Sequence, residues 1–172
     1  MKKRVLSVVS ICIVLALSAC SIGTSRRNTA FRNTCWGDDI DTIRKEEKIP
    51  IVGFNDHYFG DNQDFIGIDA TVCYDVDSNY GLYRGCYLFK VSYDNIYDYI
   101  SDYEKIKSTL VKTYGEPTET KESTTLGLGY KDEWIDDETN THILLLLSFD
   151  STNNPDSNTF ALDYKDMNYT KN

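Results

Sequence analysis

The chain has 172 residues, including 13 tyrosines and 5 cysteines, and carries a formal net charge of −9 at pH 7. The first four residues hold three of the 18 basic side chains, so residues 20–172 carry 15 Lys+Arg against 27 Asp+Glu, a net charge of −12. This acidic balance excludes nucleic acid as a partner, because binding to phosphates needs a basic surface.

Residues 1–20 have the pattern of a bacterial export signal. Three positive charges precede an apolar run from Val5 to Ala19, which is too short to span a bilayer as a helix, since a span needs about 20 apolar residues. The run closes on Leu17-Ser18-Ala19-Cys20, which resembles the lipobox of bacterial prolipoproteins. The resemblance implies cleavage after Ala19 and a diacylglycerol group on the Cys20 thiol.

This resemblance implies an extracytoplasmic protein that is attached to the cell membrane through lipid on Cys20. Two acyl chains give a stable anchor where a single chain does not. Residue 21 is Ser rather than Asp, so in a cell with two membranes the outer one is an expected location. An uncleaved membrane helix and a signal cut without lipidation are the two alternatives.

The remaining chain divides into a tether and one domain. After the signal peptide over 1–19, residues 20–30 are polar and lack an apolar period, which predicts a lipidated N-terminus and a flexible tether. Residues 31–172 have the length of a single domain. Its opening, with Phe31 and then Trp36-Gly37 before an acidic segment, resembles the start of several small secreted bacterial domains, and this likeness implies no activity.

A short helix is predicted over about 38–47. Asp38 is a suitable N-cap, acidic residues precede basic ones as the helix dipole favours, and Ile40 and Ile43 form a narrow apolar stripe. Pro50 ends the segment, because a proline disfavours helical geometry in the residue before it.

A long helix is predicted over about 95–114. Apolar and tyrosine side chains recur there at helical spacing. Asp94 or Asn95 can cap its start, and Gly115 followed by Pro117 ends it. We expect this helix to lie across the sheet.

The clearest pattern in the sequence is that of a hairpin of two strands, in each of which apolar residues occur at every second position. Pairing residues whose numbers sum to 159 places Ile66 opposite Tyr93, with Asp77-Ser78-Asn79-Tyr80-Gly81 as the turn. The residues that this register brings together on one face are apolar. The pairs on the two faces are Ile68–Val91, Ala70–Phe89, Val72–Tyr87, Asp69–Lys90, Cys73–Cys86 and Asp75–Arg84.

Three further strands are predicted over 128–135, 142–149 and 159–164. Residues Leu144 to Leu147 are apolar on both faces, so we expect that strand to be covered on both sides. Together these elements predict an α+β fold with an antiparallel sheet of about five or six strands, one long helix and one short N-terminal helix.

The cysteines offer one candidate disulfide. Cys12 leaves with the signal and Cys20 takes the lipid, so Cys35, Cys73 and Cys86 remain in the fold. The hairpin register makes Cys73–Cys86 the candidate disulfide, and two thiols on a covered sheet face are the alternative. Cys35, beside a tryptophan, is interpreted as a small buried apolar residue.

No metal, cofactor or catalytic site is assigned. The segment from Asp75 to Gly81 begins like a calcium loop, but its glycine is one position late and Cys86 stands where a bidentate Glu belongs, so it is interpreted as a turn. The two histidines, His57 and His142, occur in no metal-binding or catalytic motif.

The sequence favours a non-catalytic binding or interaction module at the cell envelope, with an envelope protein or a glycan as its partner. Its tyrosine-rich, acidic strands motivate this hypothesis. The alternatives are a small envelope hydrolase that uses carboxylates and a self-associating structural or assembly lipoprotein. A deep pocket with convergent acids would favour the enzyme, whereas a shallow aromatic surface would favour the binder.

Overall fold

The computed structural model describes residues 29–123, 129–149 and 158–170, so the predicted signal, Cys20 and most of the tether lie outside it. Within this part of the chain, eight strands form one antiparallel sheet in the order β1-β2-β3-β4-β8-β7-β6-β5, accompanied by two helices. The elements are α1 (Ile40–Glu47), β1 (Val52–Phe54), β2 (His57–Phe65), β3 (Ile68–Asp77), β4 (Gly81–Phe89), α2 (Ile96–Tyr114), β5 (Glu119–Ser123), β6 (Gly129–Asp136), β7 (Thr141–Ser148) and β8 (Thr159–Asp166).

The predicted fold class, an α+β fold with five or six strands, was wrong: the structure is a mostly-sheet fold with eight strands. The strands that the sequence did not reveal are β1, β2 and β5. All five residues of β5 are exposed, and so are all three of β1. Strands without a buried face leave no alternation of apolar and polar residues, which is the signal that predicts a strand.

The hairpin register is confirmed from Ala70 to Asp75, including the pairing of Cys73 with Cys86. A bulge after Asp75 then shifts the pairing by one residue. The expected pairing of Ile66 with Tyr93 was wrong, because Ile66 lies in the turn between β2 and β3 with a φ of 53°.

One face of the sheet carries the core. Helix α2 crosses from β4 to β5 over this face and buries Tyr99, Tyr103, Ile106 and Leu110 against it. The alternate residues of β3, β4, β7 and β8 point into the same core, as the period of two requires. On β7, for example, Leu145 and Leu147 are fully buried, whereas the outward-facing Leu144 and Leu146 are half-buried, so the expected cover on both sides is incomplete among the described residues.

A buried carboxylate joins α2 to the sheet. Asp132 of β6 is 1% exposed and accepts a hydrogen bond of 2.8 Å from the Tyr103 hydroxyl and one of 3.0 Å from the Lys107 ammonium group. The Thr120 hydroxyl of β5 donates to the same carboxylate. A buried charge requires such partners, since an unpaired one carries a large desolvation penalty.

The segment before α1 lies against the sheet. The Arg32 guanidinium group donates a hydrogen bond of 2.7 Å to the carboxylate of Glu47, whose side chain is fully buried at the end of α1. The Trp36 indole donates one of 2.9 Å to the Thr141 hydroxyl at the start of β7. These contacts place the N-terminus of α1 at one end of the sheet.

Neither helix in the described part of the chain has the length and apolar composition needed to cross a membrane.

Candidate functional site

Four chain segments meet at one end of the sheet and enclose two adjoining open clefts. They are the N-terminus of α1, the β1–β2 turn, the β3–β4 turn and the residues after β8. The clefts have volumes of about 410 and 350 Å³, and both contact Asp77, Asn79 and Tyr80. We call this region the tyrosine cleft; its main side chains are those of Asp39, Asn55, Asp56, Tyr58, Asp77, Asn79, Tyr80, Asn168 and Tyr169.

The β3–β4 turn that divides the cleft is held by its own side chains and by the N-terminal segment. The Asp77 carboxylate accepts hydrogen bonds from the backbone N–H groups of Asn79 and Tyr80, at 2.8 and 3.0 Å. This is the local bonding that favours aspartate at the start of turns. The backbone of Gly37 donates to the carbonyl of Leu82 at 2.9 Å, which fixes the turn against the segment before α1.

Three tyrosine rings form a connected aromatic wall. Tyr83 and Tyr169 stack with ring centroids 4.1 Å apart and an interplanar angle of 17°, and Tyr80 contacts Tyr169 at 5.2 Å. The Tyr80 hydroxyl donates to the buried carboxylate of Asp166, and the Tyr169 hydroxyl donates to Asp77 at 3.2 Å. These two hydrogen bonds therefore restrict the orientations of the Tyr80 and Tyr169 rings.

The phenol of Tyr80 stays protonated at neutral pH. Burial, followed by the hydrogen bond to Asp166, raises the pKa of Tyr80 to about 12. Burial likewise raises the pKa of Tyr83. Neither group is prepared to act as an oxyanion or a base, because an activated tyrosine needs a lowered pKa.

The Asp39 carboxylate has a structural role, because it caps helix α1. It accepts a hydrogen bond of 2.7 Å from the backbone N–H of Thr42. This bond lowers the pKa of Asp39. A general acid needs the opposite shift, so Asp39 is suited to accepting hydrogen bonds and not to donating a proton.

No sequence pattern predicts this site. The segment from Asp77 to Gly81 indicates only a turn, and no motif points to Asn168 and Tyr169, which contribute to the cleft. The large number of tyrosines was the available signal. No spacing in the sequence indicates that Asp39, Asp56 and Tyr169 converge, because the pairing of distant strands brings them together.

The other residues singled out from the sequence lie elsewhere. Cys73 and Cys86 face each other in the sheet as separate thiols, so their disulfide stays a prediction. His57 contacts Asp75 at 2.8 Å and His142 contacts Glu133 at 2.7 Å. The described residues contain no group of three or more His, Cys, Asp or Glu side chains arranged to hold a metal ion. Cys20 lies outside the described residues.

Comparisons with known proteins identify no family for this chain. No protein-family model matches it, and no curated protein matches it. The crystal structure of a DUF4309 family protein, YjgB from Bacillus subtilis, is similar with a TM-score of 0.42 and 8% sequence identity, over 78% of this chain and 82% of that chain. A likeness at this level assigns neither family nor function.

Proposed function

We propose that this protein is a lipid-anchored, extracytoplasmic binding domain that takes a glycan of the cell envelope in the tyrosine cleft. The observation that carries the proposal is the aromatic wall, in which Tyr80 and Tyr169 line open clefts together with carboxylate, amide and hydroxyl groups and Tyr83 stacks on Tyr169. Aromatic surfaces with a few oriented polar groups are typical of ligand sites in proteins.

The rings are fixed before a ligand arrives. Tyr80 is 37% exposed, so part of its ring faces the cleft while its hydroxyl is held by Asp166. Tyr169 is held by its stacking on Tyr83 and by its bond to Asp77. A fixed site loses little side-chain entropy on binding, and this increases the affinity for a ligand that fits.

The polar lining selects against anions. Asp39, Asp56 and Asp77 border the larger cleft together with Asn55 and further uncharged residues, and its lining includes no Lys or Arg. Carboxylates accept hydrogen bonds from hydroxyl groups, and amides both donate and accept them. A neutral, polyhydroxylated ligand with apolar ring faces can stack on the aromatic wall and form hydrogen bonds with this lining.

Asp39 does not fit the role of the general acid in glycoside hydrolysis. Glycoside cleavage requires one carboxyl group that stays protonated near neutral pH beside a second, ionised one. The pKa of Asp39 is lowered by its hydrogen bond to Thr42, which keeps this group ionised. The tyrosine hydroxyl groups are used to hold the wall in place.

The anchor is supported by the pattern of residues 1–20. The charged start, the short apolar run and Leu17-Ser18-Ala19-Cys20 together match the lipobox signal. Lipid on Cys20 would leave a tether of roughly ten residues before the fold, long enough to keep the domain near the membrane surface and free to turn.

The test is calorimetric titration of the detergent-purified mature protein with a soluble N-acetylglucosamine oligosaccharide. The Tyr80→Ala variant should bind about tenfold more weakly, equal to about 1.4 kcal/mol, which is the upper range of a single aromatic contact. Tyr97→Ala is the matched control, because Tyr97 is 73% exposed at the start of α2 and does not line the cleft.

Equal affinity of the Tyr80→Ala variant and the wild type would overturn the proposal, and so would the absence of binding to a panel of neutral glycans. Binding of oligolysine in place of the glycan would redirect the site to a cationic protein segment, which the acidic lining would also attract.

A further inference from the structure

The two edges of the sheet differ in chemistry. Strand β5, at one edge, is charged or polar and exposed throughout. Strand β1, at the other edge, carries Val52 and Phe54, which are 67% and 75% exposed. Charged residues on an edge strand oppose contact with another surface, whereas neighbouring exposed apolar side chains mark a contact surface. The described residues leave this apolar edge uncovered, so it is a candidate contact surface.

Basic residues lie beside β1. The Arg44 guanidinium group lies 5.7 Å from the centroid of the Tyr58 ring, and Tyr58 is the strand partner of Gly53 in the middle of β1. Lys45 follows in the last turn of α1 and Lys48 is its C-cap, and both residues are exposed. We call these apolar and basic side chains together the β1 edge; they are Val52, Phe54, Arg44, Lys45 and Lys48.

The charge of the molecule is unevenly distributed along the chain. Residues 20–54 carry six Lys+Arg and five Asp+Glu, a net charge of +1, whereas residues 55–172 carry nine and 22, a net charge of −13. The predicted tether contributes Arg26 and Arg27 to the first group and no acidic residue. An anionic surface therefore repels most of the domain but not the part that contains the β1 edge.

The chain enters the fold on the same half of the sheet. Arg32 donates hydrogen bonds to Glu47 at the end of α1, at 2.7 Å, and to Gln63 of β2, at 3.3 Å. Strand β2 is the neighbour of β1. Ten residues lead from Cys20 to Ala30, and a chain of that length reaches at most about 35 Å. Lipid on Cys20 would therefore keep the β1 edge closer to the membrane than the β5 edge.

We propose that the β1 edge contacts the anionic lipid surface of the membrane to which Cys20 would anchor the chain. The two apolar side chains enter the headgroup region, and the three basic side chains lie among the lipid phosphates. This inference rests on the lipid anchor of the proposed function but not on glycan binding in the tyrosine cleft.

The contact orients the domain and does not attach it. Even a single myristoyl chain gives only marginal membrane binding, so two apolar side chains cannot hold a chain with a net charge of −12 at the membrane. An anchor raises the local concentration of the β1 edge at the lipid surface, where a weak contact becomes populated. Phe54 directly precedes Asn55 and Asp56 of the tyrosine cleft, so this orientation places the cleft beside the membrane surface.

Fluorescence quenching by brominated lipid tests the contact. Phe54→Trp adds an indole at a position so exposed that the fold should be unaffected. The membrane-extracted variant is reconstituted into vesicles of equal parts phosphatidylcholine and phosphatidylglycerol, with or without bromine on the acyl chains. Apolar side chains of interfacial segments reach about 5–10 Å into the boundary between headgroups and acyl chains, so we expect bromine to lower the emission of the introduced indole about twofold.

Tyr97→Trp is the matched control, because Tyr97 is 73% exposed at the start of α2 and does not belong to the β1 edge. Bromine should leave the emission of its introduced indole unchanged, and the wild type gives the background from Trp36 and Trp134. Adding Lys48→Glu to Phe54→Trp should weaken the quenching, because the anionic surface repels the new carboxylate. Undiminished quenching in that combination would overturn the role of the basic residues.

Flotation of the vesicles separates the anchor from the contact. Protein that floats with the vesicles but has the same emission with and without bromine would overturn the contact and leave the anchor standing. Protein that does not float would overturn the anchor and the orientation with it. Equal quenching of the Phe54→Trp and Tyr97→Trp variants would overturn the assignment to the β1 edge. A blue shift of the Phe54→Trp emission without quenching by bromine would assign this edge to a second copy of the chain.

Discussion

Two glycines allow the segment before α1 to lie directly against β4. A Cβ atom built on Gly81 would be 2.2 Å from the carbonyl oxygen of Gly37, and one built on Gly85 would be 2.1 Å from the ring of Phe31. Real Cβ atoms do not approach other atoms so closely. The backbone contact at the tyrosine cleft and the packing of Phe31 on the sheet therefore both require a glycine, which has no side chain.

Replacing Gly81 with alanine should destabilise the protein by about 3 kcal/mol. Its φ of +94° is in the region that disfavours side chains, at about 1–2 kcal/mol, and the added methyl group would also separate the backbone hydrogen bonds that join residues 37 and 38 to Leu82. Urea unfolding monitored by circular dichroism measures the change.

The matched control for this change is Gly67→Ala. Gly67 has a φ of +84°, but its new methyl group would meet only the flexible end of Lys105, at 3.5 Å. We expect a loss of about 1 kcal/mol there, from backbone strain alone. Equal losses at the two sites would show that the close approach to Gly37 does not contribute to stability.

At the scale of elements, burial on one face decides what the sequence can predict. The register from Ala70 to Asp75 followed from alternating apolar residues, because a shift of one residue would have moved every apolar side chain to the other face. Strand β5, Glu119–Ser123, has no buried residue and is defined by its backbone pairing with β6. A strand of that kind at a sheet edge cannot be predicted from the periodicity of hydrophobic residues.

The pairing of β6 with β7 places a charged cluster on the outward face. Glu133 accepts a hydrogen bond from Lys131 and lies 2.7 Å from the His142 ring nitrogen. The bond from Lys131, followed by that from His142, lowers the pKa of Glu133 below its ordinary value of 4.5. The folded state therefore favours the ionised carboxylate more than the unfolded chain does.

Glu133→Gln should consequently lower stability in a pH-dependent way. A carboxyl group with a lowered pKa in the folded state stabilises the fold above its unfolded pKa, and this contribution is lost as the pH falls through the folded pKa. The difference in unfolding free energy between wild type and variant should be largest above the ordinary carboxyl pKa and shrink below about pH 4.5.

Denaturant unfolding between pH 3 and pH 8 measures this difference. Glu116→Gln is the matched control for the loss of one carboxylate charge, because Glu116 is exposed beyond the end of α2. A constant difference across the whole range would contradict the role of the Glu133 charge.

At the scale of the whole molecule, distant strand pairing builds the candidate site. Strand β8 lies between β4 and β7, which brings the residues after it beside the β3–β4 turn. The β1–β2 turn adds Asp56 and α1 adds Asp39 to the same end of the sheet. The sequence could predict the turn around Asp77 but not its neighbours, because no local pattern encodes which ends of eight strands converge.

The position of the domain relative to the membrane is the last property that the sequence pattern predicts. Residues 20–172 carry a net charge of −12, which disfavours direct contact with anionic lipid, so the proposed attachment would depend on Cys20 alone. We expect the intact mass of membrane-extracted protein to correspond to residues 20–172 plus diacylglycerol, and Cys20→Ser to abolish both the lipid and the specific cleavage before residue 20.

Cys12→Ser is the matched control for this experiment, since Cys12 belongs to the part of the predicted signal that cleavage would remove. The processed mass of that variant should equal that of the wild type. A wild-type mass that lacks lipid, or that retains residues 1–19, would contradict the anchor. The domain would then bind its ligand without attachment to the membrane. The glycan titration would still measure this binding, because it does not depend on the anchor.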